Sequence, residues 1–315
     1  MNGFFNILKP PGMTSAAVVG FLRRITGEKR IGHAGTLDPD AAGVLPVMIG
    51  RAARLFDYLV EKEKTYLAEC AFGTSTDTQD ASGQAVETGG VYPGLDAVMA
   101  AAASMEGEII QCPSVYSAIK RDGKPLYAYA RAGEAVEVPE RRVMIHSIRI
   151  LREMPRDGVL MEVRCGRGTY IRSICHDLGE KTGCPAHMRF LLRTSTGVFR
   201  IEDALTLEEV QARQEAGTLA DALMAMDAPL LHLPALHVPR AYEHQADNGA
   251  VIPWTAMTGA LSAADRLAAE KGPCRIYVSG RFCGMGQRVG DDLRWRMTIP
   301  PAFRQGGQME RGEGT

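Results

Sequence analysis

Asp38 and His33 are the reactive groups in a segment otherwise rich in small residues and prolines. Residues 32–50 read Gly-His-Ala-Gly-Thr-Leu-Asp-Pro-Asp-Ala-Ala-Gly-Val-Leu-Pro-Val-Met-Ile-Gly. Glycine permits turns that a side chain forbids and lets a ligand come close to the main chain. Pro39 keeps Asp38 extended and fixes the following φ. The carboxylate is therefore expected on a stiff loop ahead of an apolar run, Val44 to Ile49. That placement suits a nucleophile or base acting at one fixed point, although an isolated Asp-Pro pair marks only a turn. A second cluster, Cys175, His176, Cys184 and His187, fits no structural zinc spacing. No metal site is expected.

Elements must hold these groups in place. Phe4 to Leu8 reads as a strand, broken by Lys9-Pro-Pro-Gly. Thr14 or Ser15 can cap a helix with Val18, Val19, Leu22 and Ile25 on one face. Gly50 to Val60 reads as a helix, Lys64 to Gly73 as an alternating strand with Tyr66, Ala68 and Cys70 on one face, and Thr74 to Gly83 as a polar loop. Leu95 to Met105 is helical, and a short helix is expected near Leu126 to Ala132. Val143 to Ile150 and Val159 to Cys165 are strands, Thr169 begins a helix ending at Gly179, and Phe190 to Phe199 is a strand. Leu205 to Met226 reads as an acidic helix, with Pro229, Pro234 and Pro239 as a linker into a small, mostly β unit. The glycine- and charge-rich end is expected to be disordered.

Bulk properties narrow the class. The 315 residues suit one large domain and a small one, with 45% hydrophobic residues for a sizeable core. Seven scattered cysteines, with no C-x-x-C pair, argue for reduced thiols. No apolar run reaches membrane-spanning length and no signal peptide is evident, so a cytoplasmic protein is expected. Net charge is −1, but residues 141–200 carry twelve Arg or Lys against five acids, and residues 201–232 one against seven. A local basic face follows. No Walker loop appears, which argues against a nucleotide-dependent enzyme.

Several motifs in order resemble the bacterial tRNA pseudouridine-55 synthases, the TruB family. They are Lys9-Pro-Pro-Gly-Met-Thr-Ser, Gly32-His-Ala-Gly-Thr-Leu-Asp-Pro with Gly43-Val-Leu-Pro, Lys64-Thr-Tyr, and Thr76-Asp-Thr-Gln-Asp-Ala-Ser-Gly. Pro113-Ser-Val-Tyr-Ser-Ala-Ile-Lys, Gly168-Thr-Tyr-Ile-Arg-Ser-Ile with Asp177-Leu-Gly, and the segment from Ala186 through Leu191-Leu-Arg-Thr complete the set. The likeness spans nearly the whole chain and weakens after about Leu233, where the family has a small β domain of the PUA kind. It implies an α+β fold with a mixed, largely antiparallel central sheet, flanking helices and a small C-terminal β domain. The implied division is 1–232 for the catalytic domain, with 113–142 as an RNA-gripping insertion, 233–303 for the small domain, and 304–315 for the tail.

The resemblance also implies a reaction: uridine in the tRNA T-loop is detached from ribose at N1, turned, and rejoined through C5, without cofactor, metal or obligatory protein partner, by a monomer. Asp38 is then the catalytic aspartate, by attack at ribose C1′, at base C6, or by assisting a glycal. Arg172 would pair with it, fixing its orientation. Tyr66 would stack on uracil and reach the C5 proton, His33 would prop the gap left in the T-loop, and Leu191 or Leu192 would wall the pocket; Tyr170 and Lys9 complete the substrate-binding set. Lys120, Lys124, Arg131, Arg141 and Arg142 would meet the RNA backbone. Two other readings are an RNA-binding or tRNA-folding module, and a synthase acting on ribosomal RNA.

Overall fold

A computed structural model of the chain describes residues 1–59, 63–257 and 261–300; the tail expected at 304–315 lies outside them. The main sheet runs in the order Gly3–Lys9, Ala42–Ile49, Ala186–Thr196, Lys64–Phe72, Gly158–Cys165, Arg141–Met154, Gly107–Gln111. Pairings along this path are antiparallel except one. Ala42–Ile49 runs parallel to Ala186–Thr196, with Leu192 opposite Ala42 and Arg193 opposite Gly43. That close pairing requires glycine: Gly43 has φ +116°, and a Cβ there would run into the Arg193 backbone.

Helices Leu95–Ala103 and Ile171–Thr182 cover one half of the sheet, over a core that includes Ala68, Cys70, Met161, Val163, Ile174 and Leu178. Helix Ser15–Thr26 covers the other half with Leu207–Glu215, burying Val18, Leu22, Leu45, Val47 and Val210. Thr14 caps the first of these by accepting from the Ala17 N–H at 3.0 Å, and Gly27 closes it at φ 67°. Ser15, the alternative cap, instead bridges the Leu37 N–H and carbonyl, at 3.0 and 3.1 Å. The helix N-terminus is thus pinned to the Asp38 loop.

Several expected boundaries move. The helix expected to end at Gly179 starts at Ile171 and continues to Thr182, with Gly183 in the left-handed cap at φ 71°. Gly179 serves close packing instead, since a Cβ there would lie 2.7 Å from the Ala186 nitrogen. Gly50 to Leu55 forms a 3₁₀ turn ahead of the short α-helix Phe56–Leu59. The polar loop after residue 73 opens as a strand, Thr74–Thr76, paired with Ala85–Thr88. The strand expected from Phe190 begins at Ala186 and stops at Thr196 before a turn to Phe199–Arg200. The acidic helix ends at Glu215, two residues before Gly217 at φ 72°, and resumes as a 3₁₀ turn, Leu219–Ala222.

The proline-marked linker is also more ordered than expected. Ala235–Val238, between Pro234 and Pro239, is the edge strand of a five-stranded sheet. It runs parallel to Cys274–Val278, followed in order by Arg281–Val289, Asp292–Thr298 and Ile252–Pro253. The alanine-rich stretch contributes helix Ala263–Lys271. No helix among the described residues is long and apolar enough to cross a membrane.

Candidate active site

The Asp38 loop is held from three sides. Ser15 ties Leu37, as above. Lys9 is fully buried behind the loop, where Nζ donates to the carbonyls of Pro10, Met13 and Pro39 at 2.8, 2.6 and 2.9 Å. Arg193, from the neighbouring strand, donates through Nε to the Val44 carbonyl at 2.7 Å and through Nη2 to that of Gly35 at 2.9 Å. The loop's carbonyls are thus engaged by fixed cations and its backbone cannot drift.

A cavity of about 210 Å³ opens beside the loop. Asp38, Tyr66, Tyr170, Arg172, Leu191 and Arg193 all line it. The volume is below the usual range for drug-sized ligands and suits one planar ring with its sugar edge. Arg172 Nε lies 3.1 Å from Asp38 Oδ2; the Asp38 side chain is 42% exposed, that of Arg172 only 6%. The carboxylate is therefore reachable, and its cation is sealed behind it. Nη1 of Arg172 also donates to Asp80 Oδ2 at 3.3 Å and the Thr78 carbonyl at 3.0 Å, and Nη2 to the Tyr116 carbonyl at 3.2 Å. Asp80 is itself held by the Thr78 hydroxyl at 2.7 Å and the Ser82 N–H at 3.0 Å. One guanidinium thus joins the Asp38 loop, the 76–83 loop and the insertion.

Tyr66 is buried and is the cross-strand partner of Arg193, and both side chains line the cavity. Burial raises the phenol pKa, with Arg193 acting in the opposite direction, so Tyr66 is a neutral phenol at physiological pH. Tyr170 stands just before helix Ile171–Thr182, and the Gln111 side chain clamps its backbone from both sides at 3.0 and 3.1 Å. Burial lowers the Lys9 pKa to about 8. It also lowers that of His33, and the Arg193 charge adds to the effect.

Three sequence-expected contacts fall elsewhere. Lys9 does not line the cavity; it braces the loop from behind. His33 ends the Ile31–His33 strand, paired with Val47, and is likewise absent from the cavity wall. Leu191 lines the cavity and Leu192 does not, because successive strand residues face opposite sides and Leu191 shares its side with Arg193. Two residues beyond the expected set join the site. The sequence alone carries no signal that turns Arg193 inward from its strand, whereas the Thr-x-Asp-x-Ser spacing marks Asp80 as a turn carboxylate.

The insertion forms a small hairpin, Lys120–Arg121 with Lys124–Pro125, and helix Leu126–Arg131. Lys120 is exposed, and Arg131 lies over the Tyr127 ring at 5.4 Å. Lys124 pairs with Glu134 at 2.9 Å and Arg142 with Glu108 at 3.2 Å, so both carry a nearby acid. Arg141 packs beside Gly168 at the cavity rim. Among the described residues no group of three His, Cys, Asp or Glu is arranged to hold a metal ion, and His187 Nδ1 is engaged by the Thr74 carbonyl at 2.8 Å.

Residues 23–171 match the family described as TruB family pseudouridylate synthase (N terminal domain), and residues 172–231 match tRNA pseudouridylate synthase B C-terminal domain. A tRNA pseudouridine synthase B of Alkaliphilus oremlandii is 45% identical over 249 residues, 79% of this chain and 82% of that protein. Those of Bacillus licheniformis and Bacillus subtilis are 41% and 38% identical, each over 87% of this chain and 91% of the relative. Among solved structures, a chain in the crystal structure of a Cbf5-Nop10-Gar1 complex matches with a TM-score of 0.71 and 26% identity, over 95% of this chain and 85% of that one.

Proposed function

The chain belongs to the TruB family of tRNA pseudouridine synthases, and from that premise we propose that it isomerises uridine 55 in the T-loop of tRNA with Asp38 as its catalytic residue. The observation that carries this reading is the reachable Asp38 carboxylate, paired with a sealed Arg172 at a cavity of ring size. In the reaction the C1′–N1 bond breaks, the uracil turns, and a C1′–C5 bond forms. The C5 proton leaves and N1 gains one, so the nucleotide's composition is unchanged.

A stacked uridine cannot reach Asp38, so the base is extruded at a cost of a few kcal/mol. Stacking on an aromatic ring contributes about 1–3 kcal/mol per base, and Tyr66 and Tyr170 supply rings at the cavity. Lys120, Lys124, Arg131, Arg141 and Arg142 would meet T-arm phosphates. We assign 1–232 to catalysis, with 113–142 as the RNA-gripping insertion, and 233–303 to the small β unit. The working form is a monomer in the cytoplasm, with tRNA as its partner.

Tritium release from tRNA labelled at uridine C5 tests the reading. One equivalent per tRNA is expected from the parent. Asp38→Asn should release none while its tRNA affinity stays within about tenfold, roughly 1.4 kcal/mol. Turnover by Asp38→Asn at the parent rate would remove Asp38 from the mechanism. A folded parent that binds tRNA without release would favour the RNA-binding module.

A further inference from the structure

Arg193 is 1% exposed and sits on the wall of the reaction cavity, yet it faces no carboxylate at ion-pair distance among the described residues. Its Nε and Nη2 serve the Val44 and Gly35 carbonyls, and Nη1 lies 3.5 Å from the Thr36 carbonyl. A brace for the loop would need no more. The register adds something else: Arg193 is the cross-strand partner of Tyr66, and both side chains reach the same cavity.

A guanidinium has donors and no acceptor. Where it meets a phenol, the phenol oxygen must accept, and the phenol hydrogen is left to turn elsewhere. Tyr66 is faced by Arg193 and Asp38, and by Cys165 from the strand on its other side, with Lys64 and Arg172 farther along the cavity wall. Lys64 and Arg172 are cations with no acceptor, and the thiol of Cys165 is a weak one. Asp38 turns Oδ2 to Arg172, which leaves a group in the cavity as the other acceptor the phenol can reach. Uracil presents two carbonyl oxygens there, and they take up negative charge as the C1′–N1 bond breaks.

We propose that Arg193 is a positioning residue that fixes Tyr66 as a hydrogen-bond donor to a carbonyl of the bound uracil. The pair thereby stabilises the departing base, and this rests on the uridine-isomerising reading above. Tyr66 acts in the neutral form, as a donor rather than as a base toward C5. The same guanidinium grips Gly35 and Val44, so the aromatic ring and the Asp38 loop are set from one point.

The test is a double-mutant cycle of Arg193→Lys and Tyr66→Phe, read as single-turnover rate on tRNA, tRNA Kd and thermal midpoint. Removing one donor aimed at developing charge typically costs about 100-fold or more in rate, and that is expected for Tyr66→Phe. Arg193→Lys should slow the parent about tenfold, with Kd nearly unchanged, because a point charge does not hold the fork. In the Tyr66→Phe background the same substitution should change the rate less than about threefold, the non-additivity of groups acting as one unit. Equal losses in both backgrounds would leave Arg193 as a loop brace only and overturn the proposal. Should Arg193→Lys fail to fold, 3-fluorotyrosine at position 66 in the otherwise unchanged enzyme keeps the test open. Its more acidic phenol should move the alkaline fall in rate to lower pH, and an unmoved profile would overturn the donor assignment. A parent inactive on tRNA would overturn the isomerase reading itself; an active parent with additive variants would count against Arg193 alone.

Discussion

Arg172 and Arg193 are both buried guanidiniums at one cavity, and their surroundings give them different tasks. Arg193 meets carbonyls and stands across the strand pair from a phenol, whereas Arg172 meets two carboxylates, Asp38 at 3.1 Å and Asp80 at 3.3 Å. Arg172→Lys keeps the charge and loses the fork that spans Asp38, Asp80 and the Thr78 and Tyr116 carbonyls. The expected result is a fall of about 100-fold in single-turnover rate, about 2.7 kcal/mol of barrier, with tRNA affinity little changed. A rate within twofold of the parent would show that the fork is dispensable. The sequence pointed to Asp38 through its loop chemistry and to Arg172 only through the family motif. The inward Arg193 stayed hidden because a basic residue on a strand ordinarily faces solvent, and only pairing register shows that this one lies beside Tyr66. Lys9 and His33 were drawn to the substrate by motif, but local packing put them behind the loop and at its strand.

At the scale of elements, the Asp38 loop depends on what its neighbours donate. Lys9 comes from the end of the first strand and holds the Pro39 carbonyl at 2.9 Å. Burial lowers its pKa from 10.5 to about 8, so between pH 8 and 10.5 the unfolded chain keeps a proton that the native one has released. Stability rises with pH wherever the unfolded state binds more protons. The Lys9 contribution is therefore least below pH 8 and grows through that window. Urea midpoints of the parent and Lys9→Met, taken at pH 7 and pH 10, should show a gap that widens at pH 10; a gap that narrows would contradict this. The elements themselves were largely legible, since hydrophobic alternation marks strands and spacing of three and four marks helices. Their ends were less so. Gly179 resembles a stop, but the helix needs a glycine there to pass the Cys184 to Ala186 backbone, a contact invisible without the fold. The prolines at 234 and 239 read as a linker because a strand between two prolines has no local signal until it pairs with Cys274–Val278.

The two largest sheets of the molecule share one seam. A single apolar cluster contains Phe4, Val44 and Met48 of the large sheet with Tyr277, Phe282 and Met285 of the small one. Across it, the Tyr277 hydroxyl donates to Asp227 Oδ2 at 2.8 Å and accepts from Arg275 Nη1 at 2.9 Å. Arg275 in turn holds the Leu233 carbonyl at 2.9 Å, so the chain between the sheets is tied at both ends. Asp227 is 1% exposed, and removal of its phenol partner leaves a buried carboxylate short of a donor. Hydrogen bonds to charged groups contribute about 1.5–3 kcal/mol, and Tyr277→Phe should cost about that much. The two tryptophans, Trp254 and Trp295, both belong to the small sheet's surroundings, so tryptophan fluorescence reports that unit while far-UV circular dichroism reports the whole. In the parent the shared cluster should make both urea transitions coincide, the mark of one cooperative unit. In Tyr277→Phe the fluorescence transition should move to lower urea than the dichroism transition as the seam weakens. Coincident transitions in the variant at the parent midpoint would mean that apolar packing alone joins the sheets and that the Asp227–Tyr277–Arg275 chain adds nothing to the junction.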